Sequence, residues 1–305
     1  MTITAAEPWL GAHESTAGGL ETAFQRIRQV GGAALQIFTR NQRQWQAKPV
    51  SPREGAAFAA AWEAWGPYPV ASHASYLINL GSADEALWRR SVAALASEIE
   101  RCRVLNVPWV VLHPGARGES GLDEALARTA RGLDKALDLA DTEAPHTGRK
   151  PAVLLENTAG QGSGLGRSFE ELAVILALSE RGDRLAVCLD TCHAFAAGYE
   201  LRSPEGYAAT MDALEATIGV SRVKVLHLND SKHTLGSGKD RHEHIGQGGI
   251  GLEGFANVMN DPRWHGRPMV IETPKDKDLA QDVLDLKALR GLLRSVPARV
   301  RGDRR

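Results

Sequence analysis

The sequence has almost no net charge, and this excludes one class of partner-binding protein. The chain of 305 residues carries 36 basic and 37 acidic side chains, a formal net charge of −1. A protein that is held to nucleic acid or to a membrane by its overall charge is therefore excluded. Any polyanionic partner must be bound by a local basic patch.

Cysteines and long apolar runs are also scarce. Three cysteines are too few for a disulfide framework and indicate a reducing compartment, which predicts a cytoplasmic protein. No apolar stretch approaches the length of about 18 residues that a membrane-spanning helix requires, and the N-terminus has no secretion-signal pattern. Neither export nor membrane insertion is expected.

Short apolar runs recur along the chain, and each is followed by a longer amphipathic segment. The eight runs are Trp9–Ala12, Ala34–Phe38, Pro69–Ser72, Trp109–Leu112, Ala152–Leu155, Leu185–Leu189, Val223–Leu226 and Met269–Ile271. The strongest are rich in Val, Leu and Ile without alternation, as in parallel strands that are buried on both faces. Eight strand–helix units predict an α/β fold, a single-domain (β/α)8 TIM barrel over residues 1–305. An open doubly wound sheet is the alternative.

Helix boundaries are indicated by capping patterns. Ser82 stands three residues before Glu85, and Ser168 stands three residues before Glu171, so each pair predicts a capping box. The helix that follows Ser168 is expected to stop at Gly182. An arginine-rich tail from about residue 297 has little apolar content and is expected to be flexible.

A potential metal ligand ends seven of the eight apolar runs. These residues are His13, His73, His113, Glu156, Asp190, His227 and Glu272. Because the carboxyl ends of barrel strands meet at one face, these side chains are expected to converge on a small volume. Several carboxylates confined together are costly without a cation, and mixed imidazole and carboxylate ligands suit zinc or manganese.

Two local motifs add further candidate ligands. Asp190 and His193 are spaced i, i+3 just past a strand, and Asp240 and His242 are spaced i, i+2 in a glycine-rich loop. Cys192 lies between two candidate ligands and either binds zinc or is a small residue in the barrel wall.

Two loops together supply arginine and exposed apolar groups, as expected of a surface that enters a nucleic-acid groove. The loop TRNQRQW contains Arg43, and HASYLINLG places Tyr76 and Leu77 just beyond His73. Arginine suits phosphates or bases, and apolar wedges unstack bases. Lys232, His233, Lys239 and Arg241 add positive charge after the seventh run.

Longer motifs resemble those of a known family. In order, the chain contains HASYLINLG, VLHPG, LLENTAGQGSGLG, VCLDTCHAFAAGYEL, LHLNDSK, DRHEHIGQGGIG and VIETP, with GAHESTAGG and FTRNQRQW nearer the N-terminus. Together they resemble the motif set of the endonuclease IV family of apurinic/apyrimidinic endonucleases, over roughly residues 9–290.

The resemblance implies a metal cluster and a set of DNA contacts. It implies three zinc ions, with manganese or iron(II) as an alternative at one position. By the same likeness, the first ion is held by His73 and His113, and Glu156 is the catalytic residue that bridges the first and second ions. The second ion is completed by Asp190, His227 and Glu272. The third ion is held by His193, Asp240 and His242. Arg43, Tyr76 and Leu77 are expected to enter the DNA and hold the abasic nucleotide out of the helix. His13 lies outside this ligand set and is expected to support a ligand or to contact a phosphate.

The activity that this resemblance implies is repair of duplex DNA containing abasic sites. The expected reaction is hydrolysis of the phosphodiester bond 5′ to the lesion, which leaves a 3′-hydroxyl and a 5′-deoxyribose phosphate. A monomer is expected, because no interface stripe is evident in the sequence. Two alternatives remain: a metal-dependent sugar isomerase of similar architecture, and a non-catalytic protein that binds the lesion.

Overall fold

The computed structural model describes residues 8–143 and 149–294. Its strands, in chain order, are β1 (Trp9–Glu14), β2 (Leu35–Ile37), β3 (Val70–His73), β4 (Trp109–Leu112), β5 (Ala152–Glu156), β6 (Leu185–Asp190), β7 (Val223–His227), β8 (Asp230–Ser231), β9 (His242–Glu243) and β10 (Pro268–Ile271). Eight of them form a closed parallel barrel, because β10 pairs with both β7 and β1. The remaining two, β8 and β9, form a short antiparallel hairpin.

Helices surround the barrel, as expected for a (β/α)8 fold. Within the described residues they are α1 (Thr22–Gln29), α2 (Pro52–Trp65), α3 (Glu85–Val104), α4 (Leu122–Glu143), α5 (Phe169–Leu178), α6 (Thr191–Ala197), α7 (Pro204–Thr217), α8 (Gly251–Met259) and α9 (Ala280–Gly291). Each predicted apolar run contains or overlaps one barrel strand. The predicted fold class is therefore confirmed, and the open doubly wound sheet is wrong, because β1 and β10 close the barrel.

Close packing of the strands limits the residues that fit between them. A Cβ atom added to Gly11 in β1 would stand 1.6 Å from the carbonyl oxygen of Ala34, at the start of β2. No side chain fits in that space, so glycine is required where the two backbones approach one another.

An apolar cluster fills the interior of the barrel. It consists of Ala71, Val111, Leu154, Ala186, Cys188 and Val225, all buried. A larger core between the strands and the helices holds most of the remaining buried apolar side chains. Because the interior cluster fills the middle of the barrel, the polar side chains of a site gather at the open end, where the carboxyl ends of the strands lie.

Two helix boundaries differ from the sequence prediction. Asp84, not Ser82, caps α3: its carboxylate accepts from the backbone N–H groups of Ala86 and Leu87 at 2.8 and 3.1 Å. A charged acceptor that reaches two N–H groups outcompetes a hydroxyl farther from the helix. Ser168 caps α5 as predicted, with its hydroxyl accepting from the N–H of Glu171 at 3.2 Å, but the Glu171 carboxylate accepts from Gly166 and Arg167 instead of Ser168, so the capping box is incomplete. The helix ends at Leu178 rather than Gly182, because Ser179 turns to extended backbone.

The arginine-rich tail lies outside the described residues, and its predicted flexibility stays a prediction. Within the described ranges, no helix combines the length and the apolar composition needed to cross a membrane.

Candidate metal centre

The alternation of side chains along each strand explains why the polar residues point into the barrel. Successive side chains of a strand face opposite sides, so residues two apart share a face. His73, His113, Glu156, Asp190 and His227 each follow by two positions a member of the interior apolar cluster. They form the next layer of the barrel interior, at its carboxyl face.

Glu156 lies at the middle of this layer and is fully buried. Its Oε2 atom lies 3.2 Å from His73 Nε2 and 3.1 Å from His113 Nε2. Its Oε1 atom lies 3.1 Å from His193 Nδ1 and 3.2 Å from His227 Nδ1. Both carboxylate oxygens therefore face imidazole nitrogens that come from different strands and from α6.

The potential ligands fall into three groups. In each group, one ligand atom from every residue lies within 4.8 Å of the others: His73, His113 and Glu156; Glu156, Asp190, His227 and Glu272; and Asp190, His193 and His242. Glu156 belongs to two groups, and so does Asp190. The structure thus brings together eight of the nine residues that the sequence resemblance implied as ligands, and in the same grouping apart from the third group.

The ninth residue, Asp240, lies at the edge of the third group. Its Oδ1 atom is 3.2 Å from His193 Nε2 and 3.5 Å from His242 Nε2, and its side chain is 42% exposed. Asp190 reaches the same histidines from the buried side, with Oδ2 3.8 Å from His242 Nε2. The third group therefore has a carboxylate on each side.

The hydrogen bonds of the histidines suit metal binding. His73, His193 and His242 each place Nδ1 against a backbone carbonyl oxygen, those of Ala74 (2.7 Å), Asn157 (2.9 Å) and Glu272 (3.2 Å). An Nδ1–H that donates to a carbonyl leaves the Nε2 lone pair free for a metal ion. Nε2 of His193 and of His242 is buried and makes no hydrogen bond with any described residue. The donor set and these free nitrogens fit a divalent cation.

The charged groups of the centre shift one another's pKa values. Although burial opposes it, the neighbouring His113 and His227 hold the pKa of Glu156 well below its usual range. Burial likewise opposes a raised pKa of His193, yet the carboxylate of Asp190 holds that pKa well above the usual value. The carboxylates thus stay ionised and attract positive charge, which protons on histidine or metal ions can supply. Metal ions displace such protons when they bind.

Sequence reasoning missed two asparagines that orient Asp190. Asn229 Nδ2 donates to Asp190 Oδ2 at 2.7 Å, and its Oδ1 accepts from the backbone N–H of Glu272 at 2.7 Å. Asn157 Oδ1 accepts from the backbone N–H of Asp190 at 2.7 Å. Both asparagines stand within two positions of a predicted ligand, and that proximity is the signal that could have found them.

Two other residues near the centre have supporting positions. His13 Nδ1 lies 3.0 Å from Glu272 Oε1, so His13 contacts a predicted ligand, one of the two roles expected for it. Cys192 is buried, belongs to none of the three metal groups, and places Sγ 3.7 Å from the carbonyl oxygen of Arg241. It is therefore a small buried residue, as the second alternative has it, but it lies on α6 and not in the barrel wall.

The residues expected to contact DNA lie on two joined loops beside the centre. Ser75 Oγ donates to the carbonyl oxygen of Gln42 at 2.6 Å and so ties the loop of Arg43 to the loop of Tyr76. Arg43 is exposed, Tyr76 is 58% exposed, and Leu77 is half-buried. The Tyr76 ring lies 5.2 Å from the His73 ring, centroid to centroid. A groove of about 790 Å³ starts at Tyr76 and runs along the end of β1, the loop after β2 and the loop that begins at Glu272.

Known proteins with the same organisation place this centre in a family. Residues 24–294 match the family model described as a xylose isomerase-like TIM barrel. Probable endonuclease 4 of Chloroflexus aurantiacus is 48% identical over 94% of this chain and 98% of its own length. Its counterpart from Nitratidesulfovibrio vulgaris is 46% identical over 94% of this chain and 100% of its own. The chain belongs to the endonuclease IV family.

A solved structure supports the same assignment. Endonuclease IV from Thermus thermophilus is 41% identical to this chain, and the match covers 93% of this chain and 98% of that one with a TM-score of 0.82. A D-tagatose 3-epimerase-like protein, 20% identical with a TM-score of 0.69, shares the fold alone. Membership of the endonuclease IV family makes the chain an apurinic/apyrimidinic endonuclease, a hydrolase of DNA repair, and confirms the resemblance seen in the motifs.

Proposed function

We propose that this endonuclease uses three zinc ions to hydrolyse the phosphodiester bond 5′ to abasic sites in duplex DNA. The products are a 3′-hydroxyl and a 5′-deoxyribose phosphate. The observation that carries the proposal is the sharing of ligands: Glu156 belongs to two of the three potential metal groups, and Asp190 also belongs to two. Ions held by shared carboxylates lie close enough to act on one phosphate.

The ligand assignment follows the first two groups, and in the third it takes Asp240 as the ligand in place of Asp190. His73 and His113 would hold the first ion, and Glu156 would be shared between the first and the second. Asp190, His227 and Glu272 would complete the second ion, and His193, Asp240 and His242 would hold the third. The contacts of Asp240 with His193 at 3.2 Å and with His242 at 3.5 Å support its place in the third set. Manganese or iron(II) is an alternative at one position.

Bound metal ions would supply two kinds of chemistry at this site: they would lower the pKa of a bound water to about 7, and they would neutralise charge that develops on a phosphate. The protein's own contribution is rigidity. Glu156, Asp190 and His227 are fully buried, so their positions are fixed by packing before any substrate arrives. Preorganised groups of this kind need no rearrangement during the reaction.

Arg43, Tyr76 and Leu77 are proposed to engage the DNA at the lesion. Tyr76 is largely exposed although its ring packs edge-on against Phe38 at 5.7 Å, so it projects from the face that carries the metal groups. An exposed aromatic ring beside an exposed arginine suits insertion into a groove together with a phosphate contact. An abasic nucleotide costs least to extrude because it has no base to unstack.

Cleavage of a duplex that contains one tetrahydrofuran residue tests the proposal. Tetrahydrofuran has no aldehyde, so strand elimination cannot occur and any cut is hydrolytic. We expect one cut 5′ to the lesion and a 3′ end that a DNA polymerase extends directly. Glu156→Gln should abolish cleavage, and the undamaged duplex should stay intact.

Other results would favour the alternatives. A duplex that is bound and left uncut would support a non-catalytic lesion-binding protein. Two or fewer tightly bound ions, together with turnover of a sugar, would support the isomerase. An isomerase needs one or two metal ions, so a third set of ligands and an exposed aromatic side chain beside the site would have no role in it.

A further inference from the structure

Gln36 is a fully buried amide in the middle of β2, among the residues of the metal centre. Buried amides are costly unless their hydrogen bonds are satisfied, and all of the close polar contacts of Gln36 are with side chains of this centre. Its Nε2 atom lies 2.6 Å from Glu272 Oε1 and 3.0 Å from His13 Nδ1. Its Oε1 atom lies 2.9 Å from His227 Nε2.

These contacts fix which way the amide faces. An ionised carboxylate only accepts hydrogen bonds, so the amide atom nearest Glu272 must be the NH2 group. The amide oxygen then faces His227. Because this oxygen can only accept a hydrogen bond, His227 Nε2 must carry a hydrogen and donate it. His227 Nδ1 is left with a lone pair, which faces Glu156 Oε1 and Glu272 Oε2, each at 3.2 Å.

We propose that Gln36 is a positioning residue for the second metal group: it sets the tautomer of His227 and holds Glu272 with one oxygen turned to the ion. This inference rests on the proposed function, because it needs an ion in the group of Glu156, Asp190, His227 and Glu272. Gln36 is not itself a ligand, but it connects two ligands, His227 on β7 and Glu272 just after β10.

His227 differs in this respect from three other histidines of the centre. His73, His193 and His242 are oriented by backbone carbonyl oxygens, which no substitution removes. The corresponding partner of His227 is a side chain. A single substitution at Gln36 should therefore weaken one metal position and spare the others.

The test compares Gln36→Met with the wild type and with Gln29→Met. Methionine is close to glutamine in size and has no amide. Gln29 is exposed on α1 and donates only to the backbone oxygen of Asp278 at 3.1 Å, so its replacement is a matched control. Zinc is measured by mass spectrometry after dialysis against buffers of defined free zinc concentration.

We expect Gln36→Met to lose one ion per chain at a free zinc concentration about 10- to 100-fold higher than the wild type does, as is typical when a residue that orients a ligand is removed. The remaining ions should be retained. The kcat for the tetrahydrofuran duplex should fall, excess zinc should restore it, and KM should stay unchanged. Identical zinc retention in Gln36→Met and wild type would overturn the inference.

A second measurement needs no variant. In zinc-loaded wild-type protein labelled with 15N-histidine, His227 should show a slowly exchanging proton on Nε2 and none on Nδ1. A proton on Nδ1 would overturn the inference even if Gln36→Met failed to fold. Failure of the proposed function looks different, because the wild type itself would then bind no zinc or leave the duplex uncut.

Discussion

Replacing Asp230 by asparagine is predicted to release the loop that carries Asp240 and His242. The Asp230 carboxylate is fully buried and accepts five backbone N–H groups. Oδ1 accepts from Ser231 (2.8 Å) and Ile250 (2.9 Å), and Oδ2 accepts from Gly246 (3.0 Å), Gly248 (3.0 Å) and Gly251 (3.2 Å). One carboxylate thus ties β8 to the far end of the loop.

The size of the effect follows from counting those bonds. Asparagine keeps one oxygen and turns an NH2 group toward N–H donors, so at least two of the five bonds are lost whichever way the amide faces. A hydrogen bond to a charged group contributes about 1.5–3 kcal/mol. The native position of the loop should therefore lose about 3 kcal/mol or more of stabilising free energy. The smaller value applies if the loop relaxes and regains part of the lost hydrogen bonding.

Hydrogen exchange and incision assays measure the two consequences. In Asp230→Asn, backbone amides of residues 232–250 should exchange at least 100-fold faster, and incision of the tetrahydrofuran duplex should fall at least tenfold, because the third metal group loses two of its ligands. Asp212→Asn, at an exposed position on α7, is the control and should match the wild type. Unchanged exchange in this loop would refute the reasoning.

Three further predictions concern stability, DNA binding and metal exchange. Although burial opposes it, Lys150, Arg181 and Arg184, whose charged groups lie 2.8, 2.9 and 3.2 Å from the Asp141 carboxylate, hold its pKa below the usual range. This stabilisation is complete above about pH 5 and is lost as the pH falls through the unfolded-state pKa toward the folded-state pKa. Asp141→Asn should therefore cost about 2–3 kcal/mol in urea unfolding at pH 7 and less at pH 3, and an equal cost at both would contradict it. Arg43→Ala should weaken DNA binding and reduce by about one unit the slope of the logarithm of the binding constant against that of the salt concentration. The control Arg28→Ala, on the last turn of α1, should change neither quantity, and equal slopes for both variants would count against Arg43 as a phosphate contact. Incision should survive short exposure to EDTA, because most of the ligands are buried, and rapid loss that magnesium alone restores would argue against built-in zinc.

The barrel could be predicted from the sequence because its strands are short apolar runs that end in polar residues. The metal groups could be predicted only in part. Nothing in the spacing shows that Asp190 lies within reach of two groups, since this depends on where α6, which begins directly after Asp190, places His193. The third group could be named from the family resemblance, but the carboxylate on each side of His193 and His242 is visible only in the structure.

Residues that support the ligands were harder to predict. Gln36 stands inside an apolar run, where a single polar residue gives no sign of its partners, which lie on β7 and just after β10. The hairpin of β8 and β9 has strands of two residues each, too short for any periodic pattern. Its position depends on Asp230, whose backbone partners are up to 21 residues away in the chain.

X-ray anomalous scattering at the zinc edge, from crystals of the purified protein, tests the proposed three-zinc centre most directly. Three peaks are expected at the barrel's carboxyl face: one beside His73 and His113, one beside His227 and Glu272, and one beside His193 and His242. Fewer than three peaks, or a peak away from these side chains, would contradict it.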